Sequence, residues 1–271
     1  MTKGRLFGRK NCPCKKENIR NAVESALLND EFKVYYQPQY DYGTNAWCGV
    51  EALIRWHHPE KGLISPDDFI PELEENDCIY ELDKMVWDRA CCDFAELRAL
   101  GIAPKYLSVN VSCADILKED FEKVLMEIIA RNAMNPGMMH LEITETAYVD
   151  DIKTLLEVVE VLQKSGFVVE MDDFGTGYST LKLLKLIPFD VVKIDMNFLH
   201  DCETNQKSRN ILTSIINMLK KERISIVMEG VETEDQARLL KKFGCDFMQG
   251  YYFGKPMPKE KLKTALKSMV R

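Results

Sequence analysis

The sequence predicts an α/β fold, a TIM-like (β/α)8 barrel in which one strand runs antiparallel to its neighbours. Eight β-rich segments alternate with helical patterns over most of the 271 residues, which is the spacing of such a barrel. Only a short loop containing Gly43 separates the first two β-rich segments, too few residues for a crossover helix. No repeat, low-complexity tract or linker interrupts this alternation, so we expect all the strands to belong to one domain.

The strands are predicted where β-branched, aromatic and other apolar residues form short runs bounded by turn residues. In chain order they are Phe32–Gln37, Trp47–Trp56, Tyr106–Ser112, Met139–Thr144, Phe167–Asp172, Val191–Asp195, Ile224–Met228 and Asp246–Tyr251. The short first connection favours an antiparallel hairpin, so one of the first two strands runs against the rest of the barrel.

Helices are predicted where apolar residues recur every three or four positions. The first, Asn18–Leu28, places Ile19, Val23, Ala26 and Leu27 on one side. The others are Glu81–Leu100, Phe121–Asn132, Asp151–Lys164, Leu181–Leu186, Ser208–Lys221, Glu234–Phe243 and Lys259–Met269. Residues 1–16 are basic and lack this periodicity. We therefore expect a tail or linker over 1–16 and a single barrel domain over 17–271.

The net charge of the chain bears on which kinds of molecule it can bind. The formal net charge of −7 argues against binding to a DNA or RNA polymer, which usually requires a basic face. An acidic protein can still act on a phosphodiester when metal ions supply positive charge locally.

The number and spacing of the cysteines indicate whether the protein works in a reducing or an oxidising compartment. Nine are scattered along the chain without a CxxC pair, and no long apolar stretch marks a signal peptide or a membrane span. This pattern favours a reduced, cytoplasmic protein with free thiols. Cys12 and Cys14 lie close together but lack the second pair that a tetrahedral zinc site needs, so they are interpreted as linker residues.

Polar side chains stand near the C-terminal ends of most predicted strands, where a barrel of this type builds its active site. They are Glu51, Asn110, Glu142, Asp172, Asp173, Lys193, Asp195 and Glu229. Side chains alternate along a strand, so Glu51 shares a face with Leu53 and Arg55, and Lys193 shares one with Val191 and Asp195. We therefore expect a crown of carboxylates around the barrel axis at one end.

The composition of this crown predicts metal ions. A single acid of the set could be an ordinary solvated strand end, but the whole set is too costly to bury unless cations neutralise it. Carboxylates and one amide, without His or Cys, favour Mg²⁺ or Mn²⁺ over zinc or copper. The adjacent Asp172 and Asp173 can serve two ions, as in an in-line phosphoryl displacement. Lys193, among the acids, is expected to stay charged and to point at a water or phosphate oxygen.

The four histidines show no metal-ligand spacing. We expect them, His140 included, to be structural or solvated.

These residues lie in motifs that resemble those of the EAL-domain cyclic di-GMP phosphodiesterases. The resemblance runs from about Asn18 to about Lys263 and includes Glu51-Ala52-Leu53 within the run from Val50 to Trp56. The other motifs are Tyr36-Gln37-Pro38, Phe69-Ile70-Pro71, Ser108-Val109-Asn110, Leu141 to Thr146, Asp172 to Ser179, Val192 to Asp195, Glu229 to Thr233, Gly244 to Asp246 and Gln249 to Tyr251. Their occurrence together and in order makes the resemblance specific.

The resemblance implies hydrolysis of cyclic di-GMP to linear 5′-pGpG by water activated with two metal ions, Mg²⁺ or Mn²⁺. It implies ligands for a first ion at Glu51, Asn110, Glu142 and Asp172, and for a second at Asp172, Asp173 and Glu229. The implied catalytic residues are Lys193, which holds the attacking water, Glu229, a general base, and Glu51. Substrate contacts are implied at Gln37, Arg55 and Gln249, and loop or supporting roles at Glu145, Asp195 and Glu232.

Departures from the family pattern are few. They are Met228 before Glu229, Cys113-Ala114-Asp115 after Ser112, and Glu72-Leu73-Glu74, and none removes an implied ligand. Two other functions remain open: a receptor that binds cyclic di-GMP without cutting it, and a protein-interaction domain. The family also implies a homodimer formed through the loop after Asp173 and the helix Leu181–Leu186. A sensory or GGDEF-type domain can accompany this one in a longer parent chain, since a stand-alone protein and an excised domain fit the sequence equally well.

Overall fold

The computed structural model describes residues 13–144, 152–176 and 180–269. The strands are β1 (Phe32–Asp41), β2 (Ala46–His58), β3 (Gly62–Ile64), β4 (Tyr106–Val111), β5 (Met139–Thr144), β6 (Val168–Phe174), β7 (Val191–Ile194), β8 (Ser225–Met228), β9 (Phe247–Gln249) and β10 (Met257–Pro258). The helices are α1 (Pro13–Leu28), α2 (Pro66–Glu75), α3 (Ile79–Ala99), α4 (Cys113–Ile116), α5 (Phe121–Arg131), α6 (Ile152–Lys164), α7 (Thr180–Leu186), α8 (Gln206–Lys221), α9 (Glu234–Phe243) and α10 (Lys259–Met269).

Eight of these strands close into the predicted barrel. Their order is β1-β9-β8-β7-β6-β5-β4-β2, and β2 pairs again with β1 to complete the circle. β1 is antiparallel to both β2 and β9, whereas the other barrel neighbours are parallel. The expected antiparallel strand is therefore β1, the first arm of the short hairpin. The small strands β3 and β10 add antiparallel pairings to β2 and β1.

The apolar core lies between the barrel and the helices. Outward-facing residues of the strands, such as Val109, Leu141 and Met171, are fully buried in one cluster with helix residues such as Trp87 and Phe94. This arrangement satisfies the hydrophobic faces of strands and helices together. Because the outward faces of the strands form this core, the inward faces can carry polar side chains.

A second apolar cluster joins α1 and α2 to the β1–β2 hairpin. The ring of Trp56 packs 5.1 Å from Phe32 and 5.5 Å from Phe69, centroid to centroid. The sequence pattern did not predict α2, which contains Pro66 and Pro71. Pro66 occupies the first turn, where a missing backbone N–H does no harm, but Pro71 obscures the pattern.

The sequence pattern also did not predict the short elements β3, β10 and α4. Other differences from the predicted elements are at boundaries. α1 begins at Pro13, so residues 13–16, which we expected in the tail, are helical. β6 continues through Asp173 to Phe174. Among the described residues, none of the helices is long and apolar enough to cross a membrane. Cys48, Cys78, Cys91, Cys202 and Cys245 are buried free thiols.

Candidate active site

The strand registers bring the predicted crown residues together inside the barrel. Glu51 of β2 is paired with Gln37 of β1 on one side and Ser108 of β4 on the other. Glu142 of β5 is flanked by Asn110 of β4 and Glu170 of β6. Because these positions share the inward face, their side chains converge on the barrel axis.

Lys193 is at the centre of this crown. Its ammonium Nζ lies 2.8 Å from Glu142 Oε2, 3.0 Å from Glu229 Oε1, 3.2 Å from Asp172 Oδ1 and 3.3 Å from Glu51 Oε2. The lysine side chain is only 1% exposed. Burial acts to lower the pKa of Lys193, but the surrounding carboxylates raise it well above its ordinary value, so the side chain remains a cation.

Asp172, Asp173 and Glu229 form a group that could hold a metal ion, with one carboxylate oxygen from each within 4.8 Å of the others. Adjacent residues of a regular strand point to opposite faces, so two neighbouring aspartates should not meet. Asp173 instead has a left-handed backbone with φ 55°, and the register of β6 with β7 shifts between Met171 and Phe174. This strained bulge turns both carboxylates toward one site.

The crown carboxylates differ in their affinity for protons. Burial, partly opposed by Lys193, raises the pKa of Glu229 to about 8. Burial and the charge of Asp172 raise the pKa of Asp173 to about 6. Burial and the charge of Glu51 raise the pKa of Glu142 well above its usual range. Burial also acts to raise the pKa of Glu51, but Lys193 and the hydrogen bond from Gln249 lower it overall.

Gln249 and Asn110 contact Glu51 directly, and Gln37 contacts Gln249. Gln249 Nε2 donates to Glu51 Oε2 and also to Gln37 Oε1, the latter at 3.2 Å. Gln37 Nε2 in turn donates to the carbonyl of Gly254 at 3.2 Å. Asn110 Nδ2 approaches Glu51 Oε1 at 3.4 Å, and the backbone carbonyl of Asn110 accepts from Trp87 Nε1 at 2.9 Å. The three predicted residues thus border the crown from β1, β4 and β9.

The other predicted residues lie at its margin. Arg55 donates to the carbonyl of Ile54 and places its guanidinium 5.9 Å from the ring centroid of Tyr35, four positions along β2 from Glu51. Asp195 accepts from the backbone of Asn197 at 2.9 Å, and its charge contributes to the raised pKa of Asp173. Glu232 begins the turn into α9 and lines a cavity with Asp195. Glu145 lies outside the described residues.

Two cavities open beside the crown. One of about 440 Å³ extends from Asp172 and Asp173 to Glu74 and Asp83 under α2 and α3. The other, about 260 Å³, contains Gln37, Glu229 and Tyr251 on the opposite side. A cavity of about 490 Å³ on the outer side of β1 is larger, but no crown residue lines it.

Two buried pairs of ionisable side chains near the crown escaped the sequence interpretation. Glu170 lies inside the barrel against His140; its shared parity with Asp172 was the available signal. Asp115 contacts Asp83 beneath α3, and burial together with the charge of Asp115 raises the pKa of Asp83 well above its ordinary value. The second pair falls where the sequence departs from the family pattern after Ser112.

A protein-family comparison gives a match to the EAL domain over residues 20–256. An uncharacterised protein of Mycobacterium tuberculosis is 35% identical over 250 residues, which is 92% of this chain and 40% of that protein. The cyclic di-GMP phosphodiesterase NbdA of Pseudomonas aeruginosa is 33% identical over 250 residues, covering 92% of this chain and 32% of NbdA. This chain spans 30% to 40% of the length of the curated relatives that it matches.

Among solved structures, the phosphodiesterase PaMucR in complex with c-di-GMP matches with a TM-score of 0.84 and 33% identity. The match covers 90% of this chain and 99% of that one.

Proposed function

Because this chain belongs to the EAL-domain family, we propose that it is a phosphodiesterase that hydrolyses cyclic di-GMP to linear 5′-pGpG. The observation that carries the proposal is the crown itself, in which Lys193 lies within 3.3 Å of four carboxylates, three of them on the strands β2, β5 and β6 and the fourth directly after β8. The similarity to NbdA and to the c-di-GMP complex of PaMucR supports the choice of substrate.

The crown residues fit two divalent ions. The crown contains the Lys193 ammonium and five carboxylates, those of Glu51, Glu142, Asp172, Asp173 and Glu229. When all are ionised, the net charge is −4, which two divalent cations would neutralise. Glu142 Oε1 is buried without a hydrogen-bond partner among the described residues, as expected of an oxygen reserved for a ligand. The all-oxygen donors match Mg²⁺ or Mn²⁺.

We assign the ligands as the resemblance implies. Glu51, Asn110, Glu142 and Asp172 would hold one ion, and Asp172, Asp173 and Glu229 the other. When bound, such ions lower the pKa of a coordinated water and offset charge on phosphate oxygens.

The protein's own groups then orient the reactants. Lys193 has three N–H donors, and we propose that one is directed to the attacking water. Glu229 is proposed, as the resemblance implies, to take the proton of this water as a general base. The water oxygen bonds to phosphorus, the P–O3′ bond breaks, and the departing 3′ oxygen acquires a proton. The phosphate stays on the 5′ side, which gives 5′-pGpG.

The cavities on both sides of the crown can receive the two guanosine halves of the substrate. Gln37 and Gln249 border the smaller cavity and are proposed as substrate contacts. Arg55 is proposed as a further contact from the rim. Asp195 and Glu232 are proposed to support the loops around this cavity.

The test is to incubate the purified protein with cyclic di-GMP and either Mg²⁺ or Mn²⁺, and to resolve products by chromatography. We expect the wild type to form 5′-pGpG with either metal ion, and Glu51→Gln to form none. Glu157→Gln is the matched control, because Glu157 is 65% exposed on α6 and pairs with Lys153. Nucleotide binding without product would instead identify a receptor, and no binding at all would favour a protein-interaction domain.

Assembly is a separate proposal. We propose a homodimer through the loop after Asp173 and α7, where Leu181 and Leu186 are 63% and 42% exposed. Light scattering of the wild type and of Leu181→Glu tests it: a wild-type monomer contradicts it. Covalent association with sensory or GGDEF domains is proposed from the greater length of the relatives.

A further inference from the structure

The barrel interior contains an acid and an imidazole that the proposed reaction does not use. His140 Nδ1 of β5 hydrogen-bonds with Glu170 Oε1 of β6, and their side chains are 12% and 1% exposed. The interior of a (β/α)8 barrel is usually filled with branched apolar side chains. A buried polar pair in that place is expensive unless its geometry is well satisfied.

The pair lies one layer beneath the crown. His140 and Glu170 precede the proposed ligands Glu142 and Asp172 by two positions on the same strands, and therefore on the same inward face. At about 3.3 Å per residue, the offset along each strand is about 7 Å. His140 thus lies directly beneath Glu142 on β5, and Glu170 lies directly beneath Asp172 on β6.

The same layer continues around the barrel through an aromatic ring. The imidazole of His140 stacks on Tyr106 of β4, with centroids 4.0 Å apart and planes within 2°. Tyr106 Oη donates to Gln39 Oε1 of β1 at 2.7 Å. These contacts link β6, β5, β4 and β1 through side chains in the layer beneath the crown.

Space for this layer is built into β2. A Cβ added at Gly49 would come within 2.2 Å of the Tyr106 ring, so glycine at this position admits the ring. Gly49 precedes Glu51 by two residues, repeating on β2 the relation that His140 and Glu170 have to their ligands.

His140 satisfies only one of the two carboxylate oxygens of Glu170. Its second oxygen, Oε2, is buried without a hydrogen-bond partner among the described residues. Such a group is retained at a cost to stability, which points to a positioning function.

We propose that Glu170 and His140, with Tyr106 and Gln39, form a platform that positions Glu142 and Asp172 to hold the metal ions. This inference rests on the proposed function, because it concerns the same metal site. Glu170 and His140 are positioning residues, since they act through the ligands and do not touch the substrate.

The test compares Glu170→Ala and Glu170→Gln with the wild type by calorimetric titration of Mn²⁺ without substrate, and by thermal unfolding in EDTA. We expect the Mn²⁺ dissociation constant to rise about tenfold or more in Glu170→Ala, as for other residues that orient metal ligands. Glu170→Gln keeps the shape and one acceptor, so it should recover part of the affinity. At saturating Mn²⁺ the KM for cyclic di-GMP should stay near the wild-type value.

Tyr36→Phe is the matched structural control. It removes a buried hydrogen bond of 2.8 Å from Tyr36 Oη to Asp93 on the outer face of β1, and it should lower the Tm without changing the Mn²⁺ constant. Equal Mn²⁺ constants in the wild type and both Glu170 variants would overturn the proposal, whatever happens to their Tm. If Glu170→Ala does not fold, Glu170→Gln decides on the same criterion. A wild type that fails to bind Mn²⁺ also overturns it, whereas one that binds Mn²⁺ without hydrolysing cyclic di-GMP refutes only the proposed function.

Discussion

Lys193→Met removes the cation at the centre of the crown while keeping a long, unbranched side chain. The lysine side chain is 1% exposed, and its ammonium lies within 3.3 Å of four carboxylates. Breaking a buried ion pair by removing one partner destabilises a protein by about 3–5 kcal/mol. At roughly 2 °C per kcal/mol for a chain of this size, the Tm in EDTA at neutral pH should fall by about 6–10 °C.

Two further readouts separate this loss from a general packing defect. Mn²⁺ should restore much of the Tm of Lys193→Met, because it supplies positive charge to the same carboxylates. Acidification toward pH 5 should also narrow the gap, since Asp173, with a pKa of about 6, then takes up a proton and the carboxylate cluster carries less negative charge. Hydrolysis should remain impaired even with Mn²⁺ present.

The assay is thermal unfolding of wild type and variant, with EDTA or Mn²⁺, at neutral and acidic pH. Lys153→Met serves as the control, because Lys153 is 85% exposed and only 3.4 Å from one helical partner, Glu157; its Tm should hardly change. A Lys193→Met protein with the wild-type Tm in EDTA, or one whose loss is the same with Mn²⁺ and at both pH values, would refute the reasoning.

Three other perturbations give distinct results. Mn²⁺ affinity should increase between pH 6 and pH 8, because bound ions displace protons from Asp173 and Glu229, whose pKa values are about 6 and about 8. Calorimetric titrations in buffers of different ionisation enthalpy should show this proton release. An Mn²⁺ dissociation constant that does not change with pH would contradict the prediction. Asp115→Asn should raise the Tm at pH 8 but not at pH 4. The raised pKa of Asp83 means that the folded protein binds more protons than the unfolded chain, so stability falls as pH rises, and removing the charge of Asp115 should relieve this loss. A Tm gain that does not grow with pH would disprove repulsion between the two carboxylates. Gly49→Ala should lower the Tm by about 2–6 °C, since its Cβ would meet Tyr106 at 2.2 Å and overpacking typically destabilises by about 1–3 kcal/mol; an unchanged Tm would show that the ring moves freely.

The alternation of strands and helices was sufficient to predict the barrel. The short loop at Gly43 identified the hairpin that contains the antiparallel strand, but it could not say which arm was reversed. That depends on the pairing of β1 with β9, a contact between distant parts of the chain. Helix α2 was missed because Pro66 and Pro71 break the apolar pattern by which a helix is recognised.

The crown was predictable in its membership and less so in its geometry. Side-chain parity placed Glu51 and Lys193 on inward faces, and the structure brings them together. Parity also put Arg55 on the inward face, yet the structure leaves it at the rim against Tyr35. The convergence of Asp172 and Asp173 depends on a positive φ, which no residue type in that pair announces.

Closure of the barrel by β1 has a consequence for how the chain folds. The β1–β2 hairpin joins residues close in sequence, whereas β1 meets β9 through pairs such as Gln39 with Gln249. During synthesis, the free edge of β1 must therefore wait for nearly the whole domain to leave the ribosome. Long-range pairing of this kind slows folding, and an unpaired strand edge invites association with other chains. The bulge between Gln39 and Tyr40 interrupts the regular ladder of β1 near the residues that eventually seal the barrel.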